Sequence, residues 1–368
     1  VRISDFDYAL PEELIAQAPV HPRDASRLLV MHLAGGAETP APPGPPPAAG
    51  ELVHGQFTDL PGLLAPGDLL IFNDTRVIPA RLLGRKPTGG QVELLLCEPL
   101  AGAASGGAAP ALGRRWRAMG QASKPIREGA VLSFDGLSAR VDAVRGEGFY
   151  DVTLDLEGPA LEAALARAGR IPLPPYIRRD PTGEDAERYQ TIWARAPGSA
   201  AAPTAGLHFT EGLVAALERR GVRRAAVTLH VGPGTFLPVR ADDLDAHHMH
   251  GESWSVPAET ARAWAETRAR GGRVVAVGTT TVRTLESAFE GDAIRAGAGR
   301  TELFIRPGHR FRALDGMVTN FHLPRSTLLV LVCAFGGTER VLAAYREAVA
   351  RRYRFFSYGD AMLMLRGA

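Results

Sequence analysis

Between residues 68 and 152, apolar positions come in short, roughly alternating runs, at 69–73, 76–83, 91–96, 116–119, 131–134, 139–144 and 149–154. Turn residues divide them: Thr88-Gly89-Gly90, Asp135-Gly136 and Gly146-Glu147-Gly148. Alternation of period two with glycine turns predicts a compact antiparallel barrel or sandwich. Beyond residue 155 the period changes. Residues 211–220 carry Leu213, Val214 and Leu217 on one helical face, with Thr210 in capping position and Gly221 as the stop. Residues 255–270 predict a helix with Pro257 in its first turn, and 338–352 predict an amphipathic one with Val341, Leu342, Tyr345 and Val349 facing inward. Strands are expected at 225–230, 274–278, 303–305 and 317–320. The apolar run 328–335 suits a buried strand or a buried helix, and 5–18 holds a short helical pattern starting near Pro11. The fold class expected is α/β: a larger α/β domain, residues 1–66 with 153–368, and an inserted, smaller antiparallel β-barrel-like domain, residues 67–152.

Composition adds limits. A chain of 368 residues, 45% hydrophobic and 22% charged, can bury a substantial core. Its longest apolar run is far short of the roughly 20 residues that span a bilayer, so no membrane partner is expected. No secretory pattern precedes Asp5, which makes the cytoplasm the expected compartment. Cys97 and Cys333 are far apart in apolar runs and read as buried thiols rather than a disulfide. Six prolines crowd positions 40–47, within a segment 37–50 that reads as a dispensable surface insertion. A second low-complexity loop covers 101–113. The net charge is only +2, but arginines cluster at 114–117, 219–224 and 346–354. Guanidinium matches phosphate geometry, so a polyanion is a plausible partner, and solvated helix faces would look alike.

The candidate chemistry lies where apolar strand patterns stop, which is where open α/β sheets place ligands. The most informative stretch is Gly198-Ser199-Ala200-Ala201-Ala202-Pro203-Thr204-Ala205-Gly206-Leu207-His208-Phe209-Thr210. Small residues let backbone approach a ligand closely, and an imidazole and an aromatic ring end the run. The other clusters are Asn73-Asp74-Thr75-Arg76, the turn from His230 through Gly232, Pro233, Gly234 and Thr235 to Phe236, His247-His248-Met249-His250, Gly278-Thr279-Thr280-Thr281-Val282-Arg283, and Asn320-Phe321-His322. Neighbouring histidines diverge on a strand and sit about 100° apart on a helix, so chelation by 247–250 would demand a special turn. Asp242, Asp243, Asp245 and Glu252 could equally pair with them. The Gly-Thr-Thr-Thr turn offers backbone donors and hydroxyls to an anion or ribose, but has no Walker lysine. From the residues alone this is an α/β enzyme with a polar, histidine- and glycine-rich cleft.

Taken together these segments resemble the S-adenosylmethionine:tRNA ribosyltransferase-isomerase family of the queuosine pathway. The likeness also takes in Ser4-Asp5-Phe6-Asp7-Tyr8, Arg23-Asp24-Ala25-Ser26-Arg27-Leu28, residues 73–82, Leu173-Pro174-Pro175-Tyr176-Ile177, Tyr189-Gln190-Thr191 and 353–363, so it covers nearly the whole chain. Departures are the proline-rich insertion, the low-complexity loop, Pro233 between two glycines, and Arg306 where the family usually has an aromatic residue. The resemblance implies transfer and isomerisation of the ribosyl part of S-adenosylmethionine onto 7-aminomethyl-7-deazaguanine at the tRNA wobble position. Epoxyqueuosine forms, and adenine and methionine are released. S-Adenosylmethionine is then a cosubstrate, no metal is expected, and the protein is expected to work as a monomer. His208, His230, His250 and His322 are the candidate acids and bases, each of which could instead brace a loop. Gly206, Phe209, Gly232, Gly234, Thr235, Thr279, Thr280, Arg283 and Asn320 are the expected cosubstrate contacts. Arg76, Arg178, Arg351 and Arg352 are expected to meet tRNA. A conventional methyltransferase would want a glycine-rich first βα turn near its N-terminus, which this chain lacks. A non-catalytic RNA-binding module would leave four histidine-bearing turns without a purpose.

Overall fold

Strands buried on both faces need cover on both sides, and Leu69–Asn73, Val274–Val277 and Gly316–Asn320 are buried at every position. They form the middle of a nine-stranded mixed sheet in the computed structural model, which describes residues 1–33, 51–100, 112–179, 181–232, 242–247, 249 and 251–367. The strand order is Gly297–Thr301, Glu252–Val256, Arg223–Leu229, Leu69–Asn73, Val274–Val277, Gly316–Asn320, Ala361–Arg366, Arg27–Leu33, Leu52–Gln56. The four strands from Arg223–Leu229 to Gly316–Asn320 run parallel. Ala361–Arg366 runs antiparallel to Gly316–Asn320, with Ala361 opposite Asn320, and parallel to Arg27–Leu33, with Leu28 opposite Ala361. One edge of the sheet therefore gathers the carboxyl ends Asn73, Leu229, Val277 and Asn320 with Ser26 and Asp360, which precede the other two strands. At the opposite edge buried Asp68 clamps Arg273, accepting from its guanidinium at 2.6 Å and from its backbone N–H at 3.1 Å.

The helices follow their local signals. Thr210 caps Glu211–Arg219 by accepting from the Leu213 N–H at 3.1 Å. Ala258–Ala269 starts only after Pro257, because the residues before it are the strand Glu252–Val256. The run 328–335 resolves as the helix Thr327–Gly336, capped by Ser326; apolar on all sides, it carries no period that separates helix from strand. It meets the helix Thr338–Ala350 at a bend of 114°, and no single helix among the described residues is long and apolar enough to cross a membrane. Two expectations need correction. No strand forms at 303–305; the strand there is Gly297–Thr301, a mostly exposed edge whose glycines and arginine mask the β pattern. The pattern near Pro11 gives one 3-10 turn, Glu12–Leu14, too short for an α-helix.

A second unit comprises Asp74–Ala202 with the segment that begins at His230, and the rest forms the sheet unit. This division lies at 73/74 and 202/203, beside the 66/67 and 152/153 drawn from the sequence. Leu69–Asn73 is a strand of the large sheet, and the helix Gly158–Ala168 contributes Leu161 and Leu165 to the barrel core. The barrel closes six strands in antiparallel pairs: Arg81–Arg85, Gln91–Pro99, Arg115–Ala122, Phe149–Leu154, Leu137–Gly146 and Val131–Phe134, the last returning to the first through Ser133 opposite Arg85. Trp116 is fully buried in it and donates its indole N–H to the Gly113 carbonyl at 2.7 Å. Trp116→Ala is expected to cost about 3–5 kcal/mol in denaturant unfolding. A cost under about 1 kcal/mol would mean the barrel does not depend on this centre. The insertion 37–50 and most of 101–113 lie outside the described residues. Cys97 and Cys333 are buried free thiols, each pushed up to about 12 by burial.

Candidate functional site

Strand order brings Ser26, His208 and Asn320 together at the carboxyl edge of the sheet. The 3-10 turn Thr204–His208 delivers a histidine that is only 4% exposed. Its Nδ1 lies 2.7 Å from Ser26 Oγ and its Nε2 lies 3.0 Å from Asn320 Nδ2. The ring stacks on Phe57, with centroids 4.9 Å apart. Asn320 Nδ2 also donates to the Phe356 carbonyl at 3.1 Å, and its Oδ1 accepts from Thr204 Oγ1 at 3.2 Å. A carbonyl can only accept, so the Phe356 contact assigns the orientation of the Asn320 amide. It follows that Nε2 of His208 is the acceptor and that Nδ1 carries the proton, donating to Ser26. Burial, and secondarily the charge of Arg354, lowers His208 to about 3, so the ring is neutral at neutral pH.

The same edge holds the Asn73 and Thr280 clusters. Asn73 donates from Nδ2 to the Leu229 carbonyl at 2.9 Å and to Thr280 Oγ1 at 3.3 Å, while its Oδ1 accepts from the Leu229 N–H at 3.1 Å. Gly278 has φ +88, and a Cβ there would lie 3.5 Å from that of Ala205. The second half of the small-residue loop thus packs on the turn that starts the helix Thr279–Ala288. His208 and Thr280 accordingly share one sheet edge.

Arg283 takes a different direction. Buried, it pairs with Glu252 and donates from Nε to the Leu303 carbonyl at 3.1 Å. Phe209 is fully buried, edge-on to Phe57, and Gly206 and Thr279 are buried too. His322 lies in an aromatic core. Its Nε2 is 2.8 Å from Thr319 Oγ1, its N–H donates to Tyr345 Oη at 3.1 Å, and its carbonyl accepts from Tyr8 Oη at 2.6 Å. Burial lowers it to about 3.

His230 belongs to the barrel-bearing unit and is partly buried. Its Nδ1 lies 2.8 Å from the hydroxyl of fully buried Thr75, on the strand Thr75–Val77 that pairs with Ala196–Ser199. The ring lies against Gly198. That residue has φ +141, and a Cβ would come within 3.1 Å of the ring's Cε1, so glycine is needed both for conformation and for space. Ser199 fixes the following turn, accepting from the Val231 N–H at 2.9 Å and donating to the Ala201 carbonyl at 2.7 Å. Burial lowers His230 to about 4, with the Asp74 carboxylate pulling the other way.

A family model described as Queuosine biosynthesis protein matches residues 3–364. This chain belongs to that family. It is 74% identical over 366 residues to the S-adenosylmethionine:tRNA ribosyltransferase-isomerase of Anaeromyxobacter sp. (strain K), covering 100% of each chain. It is 54% identical over 375 residues to the protein of that name from Xanthomonas euvesicatoria pv. vesicatoria (strain 85-10), covering 100% of this chain and 98% of the other. A crystal structure of S-adenosylmethionine tRNA ribosyltransferase from Thermotoga maritima is similar at TM-score 0.54 and 38% identity, covering 98% of this chain and 100% of that one.

In this queuosine biosynthesis family member, the remaining expected residues fall in three places. Gly232 is buried, whereas Gly234, Thr235, Phe236 and His250 lie outside the described residues. Arg76 and Arg178 are exposed in the barrel-bearing unit. Arg351 and Arg352 are exposed at the end of the helix Thr338–Ala350, the former 2.5 Å from Glu347 and the latter 3.9 Å from Glu13. Among the described residues no group of three His, Cys, Asp or Glu is placed to hold a metal ion. Sequence reasoning assigned no role to Ser26, Phe57, Thr75 or Gly198. Gly198 carried a signal, as a glycine opening a small-residue loop, Thr75 lay in the Asn73-Asp74-Thr75-Arg76 cluster and Ser26 in the resembling segment 23–28; Phe57 carried none.

Proposed function

We propose that this chain moves the ribosyl part of S-adenosylmethionine onto 7-aminomethyl-7-deazaguanine at the tRNA wobble position and isomerises it, giving epoxyqueuosine-tRNA, adenine and methionine. The observation that carries this reading is 74% identity, along the full length, to an enzyme named for that activity. The sulfonium acidifies the adjacent ribose carbon, so a positioned base can remove its proton; adenine then leaves, the substrate amine bonds to the sugar and gives up a proton, and the C–S bond breaks to release methionine. Written this way the reaction balances with acid–base chemistry alone and calls for no metal. Within the barrel-bearing unit we assign proton transfer to His230, because Thr75 holds its Nδ1 and its Nε2 makes no bond among the described residues. Within the sheet unit we assign cosubstrate binding to the edge formed by Gly206, Thr279 and Thr280, with His208 and Asn320, whose amide is bonded to His208, Phe356 and Thr204, as positioning groups. His322 and Phe209 brace the core, and Arg283 acts through Glu252 rather than by direct contact. We take the protein to act as a monomer in the cytoplasm.

The test is incubation with S-adenosylmethionine and tRNA carrying the aminomethyl-deazaguanine base, followed by nucleoside mass analysis. Epoxyqueuosine and free adenine are expected. S-Adenosylhomocysteine in their place would indicate methyl transfer, and tight tRNA binding without turnover would indicate an RNA-binding module.

Arg76, Arg178, Arg351 and Arg352 are the arginines we assign to tRNA. Replacing Arg351 and Arg352 together by alanine should weaken tRNA binding and reduce the salt slope by about two, leaving S-adenosylmethionine affinity little changed. An unchanged slope would return these side chains to a solvated helix end.

A further inference from the structure

We propose that Ser26 is the hydrogen-bond donor offered to the nucleoside half of S-adenosylmethionine, aimed by Asn320 through His208. The inference rests on the reading that this chain uses that cosubstrate. It begins from the direction of a three-residue chain of hydrogen bonds. Phe356 fixes the Asn320 amide with Nδ2 toward His208. His208 must then accept at Nε2 and donate from Nδ1, since a neutral imidazole carries a single N–H. Ser26 Oγ is the recipient, 2.7 Å away. A serine hydroxyl that accepts at its oxygen still has its own hydrogen to give, and among the described residues Ser26 makes no other side-chain bond. Ser26 is only 1% exposed, so a hydrogen left without an acceptor would be costly there.

Location adds the second argument. Ser26 immediately precedes Arg27–Leu33, on the edge shared with Asn320, Asn73 and Thr280, where ligands of parallel sheets bind. The ligand chemistry follows from the donor. A hydroxyl polarised by a neutral imidazole suits a neutral acceptor, such as a ribose oxygen or a purine ring nitrogen. Those acceptors are in the nucleoside half, whereas the methionine end carries a carboxylate and an ammonium. Ser26 would thus touch the cosubstrate, while His208 and Asn320 act only through it.

The experiment uses the full chain with S-adenosylmethionine and adenosine as probes. Ser26→Ala removes the donor. Asn320→Asp keeps Ser26 but replaces the N–H facing Nε2 with an acceptor, so His208 should protonate Nε2 and turn the Ser26 hydrogen inward. Each variant is expected to weaken both probes about tenfold, the cost of one hydrogen bond. The double variant should be no weaker than Ser26→Ala alone, because both changes remove the same donor. Nitrogen-15 spectra of His208 should show the Nδ1–H form in the parent and loss of that form in Asn320→Asp. Additive losses, undiminished adenosine binding, or an Nε2–H tautomer in the parent would overturn the proposal. A parent protein that binds neither probe would overturn the cosubstrate reading with it, whereas binding indifferent to both substitutions would overturn this proposal alone.

Discussion

His230→Gln should lower turnover by about 100-fold or more, the usual size of a lost acid–base group, with little change in melting temperature. Glutamine can keep a hydrogen bond to Thr75, yet it cannot take up and release a proton. The histidine itself, lowered to about 4 by burial, is neutral and able to accept a proton through the neutral range. Its activity should therefore fall on the acid side as the imidazole protonates, and that acid limb should vanish in the variant. Gly198→Ala tests the placement of the ring separately. The new methyl would meet Cε1 at 3.1 Å in a backbone conformation that L residues rarely adopt. Turnover should drop while the imidazole remains in the chain. Near-parental turnover in His230→Gln would remove proton transfer from this residue.

Acid should destabilise the protein well before its carboxylates protonate. His208 and His322 are both lowered from 6.5 to about 3 by burial. An unfolded chain takes up protons on these rings near pH 6.5, whereas the folded chain does so only near pH 3. Their contribution is thus full above about pH 6.5 and drains away as pH falls toward 3. With His230, lowered to about 4 for the same reason, three such groups give a slope of about 4 kcal/mol per pH unit near pH 5. Urea midpoints at pH 7 and pH 5 measure it directly. His322→Gln, whose amide can still meet Thr319, should make the slope shallower by about 1.4 kcal/mol per pH unit whatever its effect at pH 7. Equal midpoints at the two pH values would show that these rings are not held neutral by the fold.

The barrel was legible because its strands alternate and are separated by glycine turns, so period and punctuation agree. The sheet edge was legible in part for a related reason: Asn73 and Asn320 end apolar strands and Gly278 directly follows one. Ser26 was not, since a lone serine between Ala25 and Arg27 has no period, and the resembling segment around it gave it no role. Its meaning comes from the order of strands, which sets 27–33 beside 361–366 and 361–366 beside 316–320. Arg283 misled for the opposite reason. An arginine beside a Gly-Thr-Thr-Thr turn reads as an anion contact, but Glu252 reaches it from a strand that the neighbouring histidines and acids obscured.

The place of Ala361–Arg366 in the sheet has a consequence for biosynthesis. This strand lies between partners at 27–33 and 316–320, and hydrogen-bonds to both. While a ribosome is still short of Arg366, the hairpin Arg27–Leu33 with Leu52–Gln56 has no bridge to the parallel strands. The barrel strands, in contrast, are complete by Leu154, more than 200 residues earlier in translation. In translation order, therefore, the barrel strands are complete while the two parts of the large sheet still expose unpaired backbone, the kind of surface that holdase chaperones capture. Ser26 and Asn320 cannot be set in register until the last strand has been threaded between them.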